Sequence, residues 1–312
     1  MDQQPCPKDV AVLLLAFGGP GSLDEVEPFL KNIFSGRPVP AAITAQVCER
    51  YRAIGGRSPL LEITRRQARS LQDHLKRLGR SAEVFVGMRH WHPFIPDVLK
   101  AIETSGFGTV LYCVLSPFSS PAAIGGYEQL IRDSLARSRS SLKAVPVKSW
   151  HQSESYYAAL SEKVSEGLAW FPLPRRSSLS VVFTAHSLPL NQVRNDPYVK
   201  ELQTAIAAVA RYLTLPTIRL AFQSRGRGPE EWLEPSLEQV VDSLISDGAK
   251  EVLIVPAGFV ADHLEVLYDL DIVLRKSLEE VGIHFHRAPV LNDSALFIKA
   301  LADAVLDAWP KQ

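Results

Sequence analysis

What most limits how this chain can fold is a repeated alternation. Eight short strand-like runs, most of them apolar, at Val10–Phe17, Ala82–Gly87, Thr109–Leu115, Ala144–Val147, 179–184, 218–222, 251–256 and 283–287, are each followed by at least one stretch of helical periodicity. Runs that are apolar at consecutive positions belong to strands covered on both faces. Strands that alternate with helices need crossover connections, so the sheet they build is parallel. The predicted helices cover Leu23–Ser35, Ile43–Ala53, Ile63–Leu78, Ile95–Ser105, Tyr127–Ser138, Ser155–Phe171, 196–212, 230–247, 262–281 and Leu296–Ala308. The strands divide four and four about a break near 148–155. The expectation is an α/β chain of two halves, 1–150 and 151–312, each a four-stranded parallel sheet flanked by helices. The last helix is a candidate to pack back on the first half. A length of 312 residues suits two domains, and 46% hydrophobic residues can fill two cores.

In open α/β sheets ligands gather at the carboxyl ends of strands. Two such ends carry chemistry. LSVVFTAHSLP, residues 179–189, is a strand that ends in His186, a group able to take a proton near neutral pH or to bind a metal, or simply a buried structural histidine. EVLIVPAGFVADHLEVLYDLD, residues 251–271, is a strand stopped by Pro256 and Gly258, then a helix start carrying His263 and Glu265. Apolar residues at 264, 267, 270, 274 and 278 have α-helical spacing. Asp262 and Glu265 also have capping-box spacing, which would make Glu265 a mere helix cap and His263 a surface residue. Glu265 and Asp269 lie one turn apart and share a face, either a solvated one or one that guides a cation.

The remaining candidates are weaker. Gly18-Gly19-Pro20-Gly21 after the first strand lacks G-x-G-x-x-G spacing and the Walker lysine, so it reads as a turn or a place of close backbone approach. His90 and His92 are spaced to share a metal, but Pro93 follows and no third ligand is evident. His284 and His286 read as polar residues of an edge strand. Lys+Arg and Asp+Glu are equal at 34 each, which argues against nucleic acid as a partner. Cys6, Cys48 and Cys113 form no CxxC pair, which fits a reducing compartment and offers no thiolate metal site. The N-terminus has no signal-peptide layout, and Val10–Phe17 is far shorter than the ~20 residues of a membrane span. The expectation is a soluble cytoplasmic monomer with no membrane span.

LLLAFGGP, RYRAIGGRSPL, GMRHWHPF, TAHSLP, FQSRGRGPEEWLEP, GFVADHLEVLYDLD and LNDSALFIKALAD follow one another from about residue 12 to 305. This series resembles the ferrochelatases, block by block and in family order. The resemblance implies two Rossmann-like domains of the chelatase type with a porphyrin cleft between them. It implies insertion of Fe²⁺ into the porphyrin with loss of two pyrrole protons, iron being a substrate and no cofactor being permanently bound. On this resemblance His186 and Glu265 match the catalytic and metal-binding pair, facing each other across the macrocycle. RYRAIGGRSPL looks most like enzymes that act on coproporphyrin III, with protoporphyrin IX the other candidate. Arg50, Tyr51 and Ser58 match porphyrin-contacting positions, as does Tyr127.

Three positions depart from the family pattern. Phe17 stands where several coproporphyrin enzymes have an iron-ligating tyrosine, Phe34 where many have an arginine, and Val273 where some have a third acid. The C-terminal cysteine cluster of animal members is absent, so no iron–sulfur cluster is implied. In the mechanism expected, His186 accepts a proton or binds the metal, while Glu265 stabilises the arriving charge or takes the second proton. Phe17, Ile33 and Trp232 are candidate apolar walls. Arg37, Arg50, Arg52 and Arg57 are available for extra propionates. A non-enzymatic tetrapyrrole carrier on the same fold is the alternative, and a dinucleotide enzyme a more distant one.

Overall fold

All eight runs are strands in the computed structural model, which describes residues 10–226 and 230–310. β1 (Ala11–Ala16), β2 (Glu83–Met88), β3 (Thr109–Val114) and β4 (Lys143–Pro146) form one sheet in the order β2-β1-β3-β4, every pairing parallel. β5 (Ser180–His186), β6 (Thr217–Gln223), β7 (Glu251–Val255) and β8 (His284–Arg287) form another, in the order β6-β5-β7-β8, again all parallel. The two orders are the same, so one topology occurs twice. Cys6 and residues 227–229 of the FQSRGRGPEEWLEP block lie outside the described residues. Over the described residues the chain divides into two units, one drawing on 10–117, 123–150 and 298–310, the other on 118–122, 151–226 and 230–297. No helix among them is long and apolar enough to cross a membrane.

Each unit has its own core. In the first, Ala11, Leu13 and Leu15 point to one face of β1 and meet Ile95, Val98, Leu99 and Ile102 of the helix Ile95–Thr104. In the second, Val182, Val252 and Ile254 meet Val240 and Leu244, and beside them Val266, Leu270, Leu274 and Leu278. Burying each such side chain contributes about 1.5–3 kcal/mol relative to leaving it in water. This is why the central strands carry no polar alternation.

Two helices differ from their predicted bounds. SPFSSPAAIGG, residues 116–126, reads as a loop of small residues, yet the helix begins at Pro121 and runs to Ser138. Proline is favoured at a helix start because its φ is already helical. Gly125 and Gly126 fall within this helix, and the Arg89 guanidinium lies against Gly126, where a Cβ would displace it. The helix predicted over 230–247 starts only at Leu237. Pro235 cannot continue a helix, Trp232 bridges to Pro189, and Ser236 with Gln239 forms a complete capping box.

Candidate active site

In the second sheet the chain steps from β5 to β6 on one side and to β7 on the other. The ends of β5 and β7 therefore flank a topological switch point, where ligands bind in such sheets. His186 is the last residue of β5, and the turn after β7 leads to Glu265. That turn lies hard against β5. Gly258 N donates to the Thr184 carbonyl at 3.0 Å. A Cβ at Gly258 would lie 2.7 Å from both Cα and Cβ of Ala185, so only glycine fits.

The helix predicted over 262–281 has two parts, a π-helix over Glu265–Leu274 and an α-helix over Arg275–Glu280. Its buried residues are Val266, Leu270, Leu274 and Leu278, every fourth position rather than the predicted α-helical set. Bonds that close i→i+5 give a wider turn than the 3.6 residues of an α-helix, so a four-residue interval stays on one face. The same interval puts Glu265 and Asp269 on one side. The capping box at Asp262 does not form. Leu264 is the cap and has no side-chain bond. Asp262 instead exchanges bonds with Asn292 at 2.9 and 2.8 Å and lies 3.4 Å from Arg287. Arg287 also grips Asp271 through Nε at 2.6 Å and Nη2 at 2.8 Å.

His186 Nδ1 lies 3.3 Å from the Gln223 carbonyl oxygen. A carbonyl only accepts, so Nδ1 carries the hydrogen and Nε2 of the neutral ring keeps the lone pair. The Gln223 side chain donates from Nε2 to the Glu265 carbonyl at 3.0 Å, and Ser224 Oγ donates to Asp269 Oδ2 at 2.6 Å. Adjacent residues at the end of β6 thus hold successive turns of the π-helix. Behind His186, the Tyr198 hydroxyl donates to its carbonyl at 3.1 Å. Burial, with Glu265 and Asp196 nearby, pushes the Tyr198 pKa up and keeps that hydroxyl protonated.

Glu265 Oε2 stands 3.8 Å from His186 Nδ1 and 3.8 Å from His263 Nε2. His263 Nδ1 donates to the Ala261 carbonyl at 3.0 Å, and its ring packs on Phe259. Burial pulls the His263 pKa down, but the hydrogen bond and charge of Glu265 outweigh it and the net shift is upward. The side chains of His186 and Glu265 remain 40% and 33% exposed, so both can be reached. The two do not face each other across a macrocycle. A flat ring between them needs about 7 Å, one carbon contact of ~3.5 Å on each face, and they stand 3.8 Å apart. Their polar ends stand side by side instead. The sequence leaves His263 between a surface position and a place beside Glu265 facing a crevice, and gives it no role; its contact with Glu265 favours the second. No three His, Cys, Asp or Glu side chains among the described residues are set out as a metal cage.

The other predicted residues belong to the first unit. Tyr51 is buried, and it and Ser58 converge on Gly19, where a Cβ would come within 2.5 Å of Ser58 Oγ and 3.6 Å of the Tyr51 hydroxyl. That crowding is the structural reason for glycine in the Gly18–Gly21 turn. Arg50 precedes Tyr51 on the helix Ala41–Ala53 and is half-buried. Tyr127 belongs to the core, with the Arg89 guanidinium 5.3 Å from its ring centre. Phe17 is exposed and packs against His90 at 4.5 Å, while Ile33 and, in the second unit, Trp232 are half-buried. Burial lowers the His90 pKa to about 4. His92 lies against Trp91 and Phe94, so His90 and His92 each have aromatic partners. On the edge strand β8, His286 stacks on Trp170.

A family model described as Ferrochelatase matches residues 9–308. Among curated relatives, ferrochelatase of Herpetosiphon aurantiacus is 37% identical over 95% of this chain and 97% of its own length. That of Geotalea daltonii is 40% identical over 95% and 96%. Among solved structures, the sirohydrochlorin chelatase SirB of Bacillus subtilis subspecies spizizenii superposes with a TM-score of 0.59 over 97% of this chain and 96% of that one, at 10% identity. CbiX, described as the terminal enzyme of sirohaem biosynthesis in denitrifying bacteria, gives 0.51 over 96% and 100%, at 12% identity. At such identities the likeness concerns the fold.

Proposed function

This chain belongs to the ferrochelatase family, and from that premise we propose that it inserts Fe²⁺ into a porphyrin for haem synthesis with His186 as proton acceptor and Glu265 beside it. Membership makes it an enzyme of metal insertion and sets aside the carrier and dinucleotide readings. The reaction consumes a porphyrin with two pyrrole N–H groups and one Fe²⁺, and yields the metalloporphyrin and two protons. His186 Nε2 has the free lone pair and takes a pyrrole proton. The imidazolium so formed has the Glu265 carboxylate 3.8 Å from its Nδ1. His186 then passes its proton to solvent, which reaches it, and is ready for the second. Imidazole nitrogen and carboxylate oxygen both suit Fe²⁺, so the same pair can receive the metal. His263 Nε2 stands 3.8 Å from the same carboxylate oxygen. The observation that carries this reading is the fixed Nδ1–H tautomer of His186 with a carboxylate next to it. Iron enters as substrate, and no step calls on a resident cofactor or an iron–sulfur cluster.

Coproporphyrin III is the substrate we favour over protoporphyrin IX, supported by the RYRAIGGRSPL block and by Arg50, Tyr51 and Ser58 within it. We take the protein to act as a cytoplasmic monomer, which sedimentation and fractionation test. Anaerobic incubation with Fe²⁺ and each porphyrin should give a metalloporphyrin spectrum, faster with coproporphyrin III. His186→Ala should abolish turnover while the circular-dichroism melt survives. A near-normal rate in that variant removes the assigned base.

A further inference from the structure

The first unit contains a cavity of about 660 Å³ between the Gly19–Gly21 turn and the helix Leu60–Arg77. Ligand sites of small molecules run from about 300 to 1,000 Å³. Ser58 lines it, and so do Arg57, Arg65 and Arg69. Arg65 and Arg69 are one helical turn apart, so their guanidinium groups lie on one face. Both are exposed, and among the described residues neither has a carboxylate partner. The acids of the cavity are engaged. Glu25 accepts from Gly21 N at 2.6 Å and from Trp91 Nε1 at 2.9 Å. Glu62 lies 3.2 Å from Arg66 and 3.9 Å from Arg57. The arginines singled out in the sequence are less available. Arg52 pairs with Glu49, Arg37 donates to the Phe34 carbonyl at 3.1 Å, and Arg57 faces Glu62.

We propose that Arg65 and Arg69 form a carboxylate-binding subsite, reached past Ser58, that selects a porphyrin with more than two propionates. This rests on the reading of the substrate given above. The chemistry is direct: unpaired guanidinium forks in an open cavity recognise carboxylates by paired N–H donors, and the cavity starts at a residue already assigned to the porphyrin. A dicarboxylate porphyrin has no further acid to place there. Because the site is exposed, its contribution is modest and falls with salt.

The test is the ratio of dissociation constants for metal-free coproporphyrin III and protoporphyrin IX, read by porphyrin fluorescence. The double variant Arg65→Gln/Arg69→Gln should reduce the preference for coproporphyrin III by about tenfold, and Arg65→Lys/Arg69→Lys should keep most of it. Raised ionic strength should reduce the wild-type preference and leave the Gln variant little affected. An unchanged ratio in the Gln variant overturns the subsite, as does a wild type with no preference. Iron insertion is measured in parallel. Failure of insertion in the wild type refutes the function proposed above, whereas a static binding ratio refutes only the subsite.

Discussion

Replacing Glu265 with glutamine keeps the shape of the side chain and removes its charge. The charge stands 3.8 Å from His263 Nε2. At that distance a full charge pair is worth about 4 kcal/mol at an effective dielectric of about 20, and about 1 kcal/mol in bulk water. Glu265 is 33% exposed, so screening leaves about 1–2 kcal/mol. In the native protein the His263 pKa is raised, because Glu265 outweighs burial. In Glu265→Gln burial prevails and the value drops below its unfolded value of about 6.5. The sign for stability follows. A raised folded value gives stabilisation that is complete below about pH 6.5 and lost as pH rises through the folded value. In the variant the group instead costs stability as pH falls below about 6.5. The assay is imidazole NMR titration, with His263→Gln to assign the signal, plus urea unfolding on either side of neutrality. Iron insertion should also slow by roughly tenfold, since the imidazolium left on His186 loses the same neighbour. A His263 signal that titrates alike in both proteins refutes the coupling, whatever happens to turnover.

Gly258→Ala should destabilise by about 1–3 kcal/mol through overpacking against Ala185, seen as a lower urea midpoint, and should slow turnover because the clash falls next to His186. Arg287→Ala removes the guanidinium between Asp271 and Asp262, which are about a quarter exposed; unfolding should show a loss of about 2–3 kcal/mol. His90 stays neutral down to about pH 4 in the folded chain, so the unfolded chain binds more protons between about pH 4 and 6.5 and stability rises with pH there. His90→Gln should flatten that part of the pH–stability curve, and an unaltered slope counts against the burial of this ring.

The sequence by itself determined the architecture. Continuous apolar runs such as 11–16 and 252–255 can be buried only inside a parallel sheet, and their alternation with helices leaves few ways to connect them. It also placed His186 at the end of one strand and Glu265 at the helix start that follows another, because a strand that stops at a polar residue or a Pro-Gly turn shows where the sheet opens. Tertiary structure alone decided how these groups are used. Four-residue apolar spacing at 266, 270, 274 and 278 is near enough to α-helical that only hydrogen-bond closure distinguishes the π-helix. The Nδ1–H tautomer of His186 depends on the Gln223 carbonyl, 37 residues away. The 3.8 Å approach of His186 to Glu265, and the absence of carboxylate partners at Arg65 and Arg69 among the described residues, depend on distances between segments far apart in the chain. Local periodicity reports which face of an element is buried; it carries no information on which charged group from another element stands opposite.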